Sequence, residues 1–446
     1  MLTRDSRASL TFILRRVQDK RSFTLIELLI VIAIVAVLST VVLITLNPAE
    51  LLKQARDSNR LSEISALNST FNILSADIPS PYFGDERTIY VSIPDAASSD
   101  INHRDNCPGI RTQLPQLPDV PTPNDWKYDC SPPASFRKVN GTGWIPVDFT
   151  VISSGAPFSA LPVDPTNDIA SGKYYTYVAS ANGKWVLTSL LESTKYLSTN
   201  AVGDAGTDDA RLEMGNDFSL WKTASGLSAY WRFNEGSGST AADASGGNFT
   251  LGNINITPSW PAGKTGSAIH GGGLSSHPQV ASPGFRMASY SLAFWLKVSG
   301  SSFRGIFSRG DIFGIGVFLD GSDKLTIQHR GAAYSDGLTT VSPITPPGQW
   351  RHIVITFDIK GAGFNNVVSQ IMKIFVDGIE VSITPTSANP RIPDVTSFPL
   401  NIAETCVASG CSTPMKYAVG GGIDEVRVYN RALAPFEVSA LYNATK

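Results

Sequence analysis

The segment from Phe23 to Leu46 limits the possible folds of this chain more than any other, because it contains a single charged residue, Glu27. At a rise of about 1.5 Å per residue, a helix of this length crosses the hydrocarbon core of a bilayer. Arginine and lysine outnumber aspartate in residues 1–22, which keeps the N-terminus cytoplasmic. We therefore predict a transmembrane helix at 23–46 in the cytoplasmic (inner) membrane, with the rest of the chain outside the cytoplasm.

The residues around Glu27 carry a second signal. A carboxylate is costly inside an apolar helix, so its presence indicates a function. The string from Lys20 to Leu29 strongly resembles the type IV prepilin signal of pilins and pseudopilins. The resemblance implies that residues 1–22 are a leader, that a prepilin peptidase cuts between Ser22 and Phe23, and that the new amine of Phe23 is methylated.

The same resemblance gives Glu27 a role in assembly with other pilin or pseudopilin subunits. Its carboxylate would neutralise the Phe23 amine of a neighbouring subunit and so favour a defined stagger between helices. Ser22 departs from the glycine that the family mostly has before the cut. An uncleaved single-pass membrane adhesin is therefore the alternative.

The next segment has the pattern of a helical stem at 47–78. Asn47, Pro48 and Glu50 form a helix start, and apolar residues recur at helical spacing up to Leu74. The helix should end before Pro79. Its apolar stripe either covers a sheet of the same subunit or packs between subunits.

Residues 79–215 have the pattern of a head built from loops and short strands. Asn182-Gly183 separates the β-forming segments Lys173–Val178 and Lys184–Thr188, which predicts a hairpin. With the preceding Leu161–Pro165, this resembles the heads of pilins and pseudopilins. We expect an α+β fold with a small antiparallel sheet, followed by a linker at 216–225.

The four cysteines, Cys107, Cys130, Cys406 and Cys411, fall into two pairs that lie far apart in the sequence. Outside the cytoplasm, the natural pairing is Cys107 with Cys130 and Cys406 with Cys411. Four cysteines allow three connectivities, so this pairing is a preference.

From residue 226 onward, short strands alternate with turns. Alternate apolar residues in Ser291–Val298 and in Trp350–Phe357 share one face, and Asp377-Gly378 marks a tight hairpin. This pattern predicts an all-β antiparallel sandwich or jelly roll. Several strings resemble the laminin G-like family, which has the concanavalin A-like jelly-roll fold: Leu227–Gly238, Gly263–Ala268, Gly348–His352, Phe375–Gly378 and Gly422–Leu433. The resemblance covers residues 226–446.

The laminin G-like resemblance implies binding of a glycan or a surface protein, often with calcium. By analogy with a structural calcium in related jelly rolls, Glu235, Asp243 and Asp424 are the candidate Ca²⁺ ligands. In a regular strand Asp424 would share a core-facing row with Val426 and Val428, where it needs backbone N–H groups or a metal as partner. The alternative is that Asp424 caps a turn and the other two carboxylates are solvated.

Composition excludes several other functions. Lys plus Arg number 36 and Asp plus Glu 38, a formal net charge of -2, so there is no electrostatic case for nucleic-acid binding. The sequence has no closely spaced catalytic carboxylates, no zinc-protease motif and no nucleophile elbow. We expect a non-enzymatic pilus or pseudopilus subunit, minor or at the tip, that uses its jelly roll for adhesion. A carbohydrate-active enzyme with dispersed carboxylates is the other alternative.

Overall fold

The structure is a computed structural model that divides into two compact units, Met1–Leu52 and Lys53–Lys446. It describes residues 24–446 with gaps at 100–105, 119–125, 202, 205, 253, 255–259, 270–278, 281–288, 299–303, 310–313, 332–333, 345–346, 359–371, 386–399 and 404–420. The predicted cleavage residues Ser22 and Phe23 lie outside the described residues, as do Cys406 and Cys411.

Helices occur at both ends of the described chain, within the head and between the two β-rich parts. They are α1 (Leu25–Leu46), α2 (Pro48–Asp77), α3 (Thr194–Tyr196), α4 (Ser219–Ser225) and α5 (Pro435–Thr445), with a 3₁₀ turn at Phe149–Val151 and a π turn at Leu197–Ala201.

Strands of the head (residues 79–215) are β1 (Thr88–Val91), β2 (Lys127–Asp129), β3 (Tyr175–Ser180), β4 (Lys184–Leu190) and β5 (Arg211–Gly215). Strands of the jelly roll (residues 226–446) are β6 (Leu227–Trp231), β7 (Gln279–Val280), β8 (Tyr290–Val298), β9 (Arg304–Arg309), β10 (Gly314–Leu319), β11 (Leu325–Gly331), β12 (Tyr334–Thr340), β13 (Trp350–Phe357), β14 (Met372–Val376), β15 (Ile379–Glu380), β16 (Ile383–Pro385), β17 (Leu400–Ile402) and β18 (Gly421–Tyr429).

The C-terminal half of helix α2 covers the head sheet of the same chain. Its buried side chains include Ile64, Leu67 and Phe71, and the Phe71 ring stacks on Tyr177 of β3 with centroids 5.0 Å apart. The predicted start is present, because Asn47 Oδ1 accepts a hydrogen bond from Glu50 N at 3.3 Å. The first of the two interpretations of the apolar stripe therefore holds for this part of α2.

The head sheet has the order β2-β1-β3-β4-β5. The hairpin predicted around Asn182-Gly183 is confirmed as β3 and β4, with Gly183 in the left-handed region. The sheet is antiparallel, as predicted, except at its edge, where β1 and β2 pair in parallel. Strand β2 lies within the segment that the Cys107–Cys130 disulfide closes, just before Cys130. The long connection from β1 to β2 permits parallel pairing, which a tight turn would not.

The jelly roll consists of two sheets that enclose a common core. Within the described residues, the orders are β16-β12-β11-β10-β9-β17-β7 and β15-β14-β13-β8-β18-β6, with antiparallel pairs throughout. The core-facing rows predicted for β8 and β13 are confirmed, since Leu292, Phe294, Ile353 and Ile355 all lie in the shared core. The predicted sandwich follows from this alternation.

The segment predicted as a linker, 216–225, is folded. It contains α4, whose Trp221 and Ala224 are buried in a core cluster of the head. Gly226, in the left-handed region, ends this helix and leads into β6. The connection is therefore short and packed against the head, which a composition rich in small and polar residues does not reveal.

Candidate functional site

The N-terminal helix begins with an intramolecular cap. Thr24 N and Thr24 Oγ1 both donate hydrogen bonds of 2.9 Å to Glu27 Oε2, and Glu27 N donates to Thr24 Oγ1 at 3.3 Å. This capping box satisfies N–H groups at the helix start. The assembly role of Glu27 towards a neighbouring subunit stays a prediction.

The structure describes the side chains of the cap residue Thr24 and of α1 up to position 40. All of them are exposed. Among them are large apolar groups such as Leu25, at 81% exposure, and Ile26, at 67%. In the described parts of the chain, no helix has both the length and the apolar character of a membrane span.

A disulfide joins Cys107 to Cys130, with a Cα–Cα distance of 5.2 Å, as the sequence predicted. It anchors the loop that precedes β2. Arg111 N donates to the carbonyl of Cys107 at 2.8 Å, and Tyr128 N donates to Asn106 Oδ1 at 2.9 Å. The backbone on both sides of the bridge is therefore held in place.

The three predicted calcium ligands lie in separate hydrogen-bonding environments. Glu235 Oε1 accepts from Ala242 N at 2.9 Å, and Asp243 accepts from the N–H groups of Tyr230, Ser245 and Phe249. Within the described residues, no three His, Cys, Asp or Glu side chains form a group that could hold a metal. These residues do not fit a shared site, and calcium binding stays a prediction.

Asp424 is fully buried, and its place in β18 differs from the predicted one. The register shifts between Asp424 and Arg427, where Glu425 has a φ of 54°. This bulge replaces the expected alternation, so the residues of β18 in the sandwich core are Ile423, Val426 and Val428. The prediction that Asp424 belongs to this core-facing row is wrong.

Backbone N–H groups are the partners of the Asp424 carboxylate. Lys264 N and Thr265 N donate to Oδ2 at 2.8 and 3.0 Å, and Glu425 N donates to Oδ1 at 2.8 Å. Burial outweighs these bonds and raises the pKa of Asp424 to about 7. This carboxyl group therefore gains or loses its proton near neutral pH.

An acidic loop before β5 was not singled out by the sequence. Asp204 accepts from Gly206 N and Glu213 N, both at 2.7 Å, and burial raises its pKa to about 6. Glu213 Oε2 is buried without a hydrogen-bond partner among the described residues, and burial raises the pKa of Glu213 as well. The cluster of acidic residues between positions 204 and 213 is the sequence feature that could have indicated this loop.

A buried polar cluster joins the head to the jelly roll. Arg427 of β18 donates to Asp209 of the head and to the Tyr230 hydroxyl, which in turn donates to Glu425. The Arg427 guanidinium carbon lies 3.8 Å from the centroid of the Tyr230 ring. Burial lowers the pKa of Arg427, but these partners outweigh it and keep the group charged.

Helix α5 forms a second part of this junction. Its Val438 and Leu441 pack on the jelly roll, whereas Ala444 packs against the main core of the head. Arg431, just before α5, donates to Ser225 O at 2.5 Å and forms a two-bonded ion pair with Glu437, at 2.8 and 2.7 Å. The C-terminal helix thus contacts both parts of the chain.

A cavity of about 780 Å³ lies beside this junction, between the loop after Cys107 and the jelly roll. Gln116 spans it, since its amide donates to Asp358 and accepts from Ala432 N at 2.9 Å. Arg111, Trp126 and Lys373 also line it. Domain interfaces are a common location for ligand sites.

Comparisons with protein families match both ends of the chain. Residues 18–43 match the prokaryotic N-terminal methylation motif, and residues 271–439 match the concanavalin A-like lectin/glucanases superfamily. The chain therefore combines a prepilin-type N-terminus with a concanavalin A-like jelly roll, the fusion that the sequence predicted. A comparison with curated protein sequences finds no match.

Solved structures with related folds include domain 4 of an extracellular arabinanase from Geobacillus stearothermophilus, in complex with arabinotriose, at 19% identity and TM-score 0.34, over 48% of this chain and 97% of that one. The CBM40 domain of a Ruminococcus gnavus sialidase matches at 15% identity and TM-score 0.28, over 34% and 82%. The binding domain of botulinum neurotoxin serotype C1 matches at 14% and 0.34, over 50% and 52%. Similarity of this extent supports no inference about ligand or activity.

Proposed function

We propose that this protein is a type IV pilin-like subunit that is anchored by residues 23–46 in the cytoplasmic membrane and carries its jelly roll on the outer side. A prepilin peptidase cuts between Ser22 and Phe23, and the new amine of Phe23 is methylated. In assembly, Glu27 leaves its contact with Thr24 and pairs with the Phe23 amine of a neighbouring subunit.

The observation that carries this proposal is the methylation motif at 18–43 joined to a helix with exposed apolar side chains. Exposure of that many apolar side chains to water is unfavourable, at roughly 25 cal/mol per Å² of apolar surface. Lipid and neighbouring helices are the surroundings that would cover them. The stem helix α2, packed on a head sheet, agrees with the same class of protein.

A minor or tip position follows from the attachment of the jelly roll. Arg427 and Asp209 are both buried at its contact with the head, so every assembled copy would carry the jelly roll in a fixed place. Dense helical packing of such subunits is sterically unfavourable. A filament therefore accommodates few copies, or one at its end.

We assign the jelly roll to binding of a glycan or a surface protein, without catalysis. The matched superfamily includes both lectins and glucanases, and the sequence lacks the closely spaced carboxylate pattern of the jelly-roll glucanases. Incubation of the full-length protein in detergent micelles with common polysaccharides tests this. Release of reducing sugar would establish the enzymatic alternative instead.

N-terminal mass spectrometry of protein from membranes and from sheared surface material tests the subunit role. We expect a methylated peptide that starts at Phe23 in both fractions. Glu27→Gln should remove the protein from the sheared fraction and leave it in the membrane. Glu50→Gln, in the same type of helix-start position in α2, is the matched control. An intact 1–22 leader confined to membranes would support the uncleaved adhesin.

A further inference from the structure

The cavity between the head and the jelly roll has the lining of a polar ligand site. Arg111, Gln116 and Trp126 contribute from the head, and Thr356, Asp358 and Lys373 from the jelly roll. An indole, a hydroxyl, an amide and three charged groups thus face one space of about 780 Å³. This volume falls within the usual range of small-molecule sites.

Arg111 is the group that points to the charge of the ligand. Its guanidinium lies 5.1 Å from the centroid of the Tyr128 ring and makes one long hydrogen bond, of 3.4 Å, to Pro115 O. No carboxylate among the described residues pairs with it. Lys373, by contrast, forms an ion pair of 2.9 Å with Glu380. With respect to the described residues, the planar guanidinium keeps the two parallel hydrogen bonds through which arginine binds carboxylates.

The other polar groups are fixed before any ligand arrives. Gln116 is held at both ends of its amide by Asp358 and Ala432 N. Arg111 is positioned through its backbone, because its N–H donates to Cys107 O beside the disulfide. Rigid polar groups lower the entropic cost of binding.

We propose that this cavity binds a carboxylate-bearing saccharide, with the sugar carboxylate on Arg111 and its hydroxyl groups on Asp358, Thr356 and the Gln116 amide. Trp126 supplies an apolar wall for the C–H face of the ring. A ring with many hydroxyl groups fits this density of donors and acceptors better than an apolar ligand does. The inference rests on the proposed binding role, whereas processing at Phe23 is measured independently of it.

Calorimetry on the full-length protein in detergent micelles, with digalacturonate as probe and neutral galactobiose as comparison, tests the proposal. We expect digalacturonate to bind more tightly, and Arg111→Gln to weaken it about tenfold or more, as loss of a charge-assisted contact does. Binding of galactobiose should not change in this variant. Reduction of the Cys107–Cys130 bridge should also weaken digalacturonate binding.

Arg137→Gln is the matched control. Arg137 is another arginine of the head whose side chain donates to a backbone carbonyl, that of Leu161 at 2.9 Å. It is exposed and does not line the cavity. Near-UV circular dichroism checks the fold of both variants. Equal affinity for the acidic and neutral probes, no binding of either at millimolar concentration, or equal effects of the two substitutions would each overturn the proposal. None of these results alters the outcome of the N-terminal mass spectrometry.

Discussion

Arg427 of the jelly roll forms an ion pair with Asp209 of the head, and both side chains are buried where these two parts of the chain meet. Removal of two charges from water is expensive, and the loss is recovered only with good geometry and further hydrogen bonds. The Tyr230 hydroxyl and ring supply such contacts. The pair therefore specifies one relative position of the head and the jelly roll.

Arg427→Met should lower the free energy of unfolding by about 3 kcal/mol or more, because it removes the buried cation that pairs with both Asp209 and Glu425. Asp209→Asn combined with Arg427→Met should cost less than the single change, since only one of the two carboxylates that pair with Arg427 then stays charged, and that one, Glu425, keeps its hydrogen bond from Tyr230. Urea denaturation followed by tryptophan fluorescence measures both. Lys373→Gln, which breaks an exposed pair with Glu380, is the control and should cost under about 1 kcal/mol. A double variant as unstable as the single one would contradict this account.

Gly172 should be irreplaceable for a steric reason. Its φ is +71°, and a Cβ at this position would come within 2.1 Å of the Phe436 ring of α5. Gly172→Ala should therefore destabilise the protein through both backbone strain and a clash at the junction.

Gly155→Ala separates the two effects. Gly155 has a φ of +82°, but no atom lies within 4 Å of its ideal Cβ. We expect this control to cost about 1 kcal/mol from strain alone, and Gly172→Ala to cost clearly more. Adding Phe436→Ala to Gly172→Ala should recover the difference in melting temperature. Equal losses in the two single alanine variants would show that the clash is relieved without cost.

Features that depend on local periodicity could be predicted from the sequence. The alternation of apolar residues in β8 and β13 gives their core faces, and Asp377-Gly378 gives a two-residue hairpin with both φ values positive. The start of α2 at Pro48 likewise follows from cap residues within one turn.

The remaining features depend on contacts between residues far apart in the chain. Asp209 and Arg427 are 218 positions apart, and nothing in either local sequence indicates the other. The predicted position of Asp424 in a core-facing row assumed an unbroken alternation of two residues along the strand. The bulge at Glu425 breaks this alternation. The folded state of 216–225 depends on burial of Trp221 against the head, which is also a tertiary contact.

Loss of the Cys107–Cys130 bridge should lower the free energy of unfolding by about 3 kcal/mol, as expected for a loop with a sequence separation of 23. Cys107→Ala combined with Cys130→Ala, measured by urea denaturation, tests this. The matched variant, with Cys406→Ala and Cys411→Ala, keeps the Cys107–Cys130 bridge. A bridge between Cys406 and Cys411 would close a much shorter loop, so this variant should lose less free energy of unfolding. Non-reduced peptide mapping of the native protein checks both pairings. Equal losses in the two double variants would contradict the assignment of the larger effect to Cys107–Cys130.

The final prediction concerns the pH dependence of stability through Asp424. Its pKa is about 7 in the folded state and about 3.9 in an unfolded chain. Between these values the folded state binds the additional proton, so the contribution of Asp424 to stability is present below about pH 4 and is lost as the pH rises through 7. Asp424→Asn should remove this dependence of stability on pH. The difference in unfolding free energy between wild type and variant should therefore change with pH.

Urea denaturation of both proteins from pH 4 to 8 measures this difference, with Glu235→Gln as the control for an exposed carboxylate of the same region. The control should follow wild type. A constant difference between wild type and Asp424→Asn would show that the buried group does not titrate in this range. Calcium added to the same series tests the sequence-based calcium prediction. A rise in the free energy of unfolding that is lost in Asp424→Asn would support it, and an unchanged free energy of unfolding would contradict it.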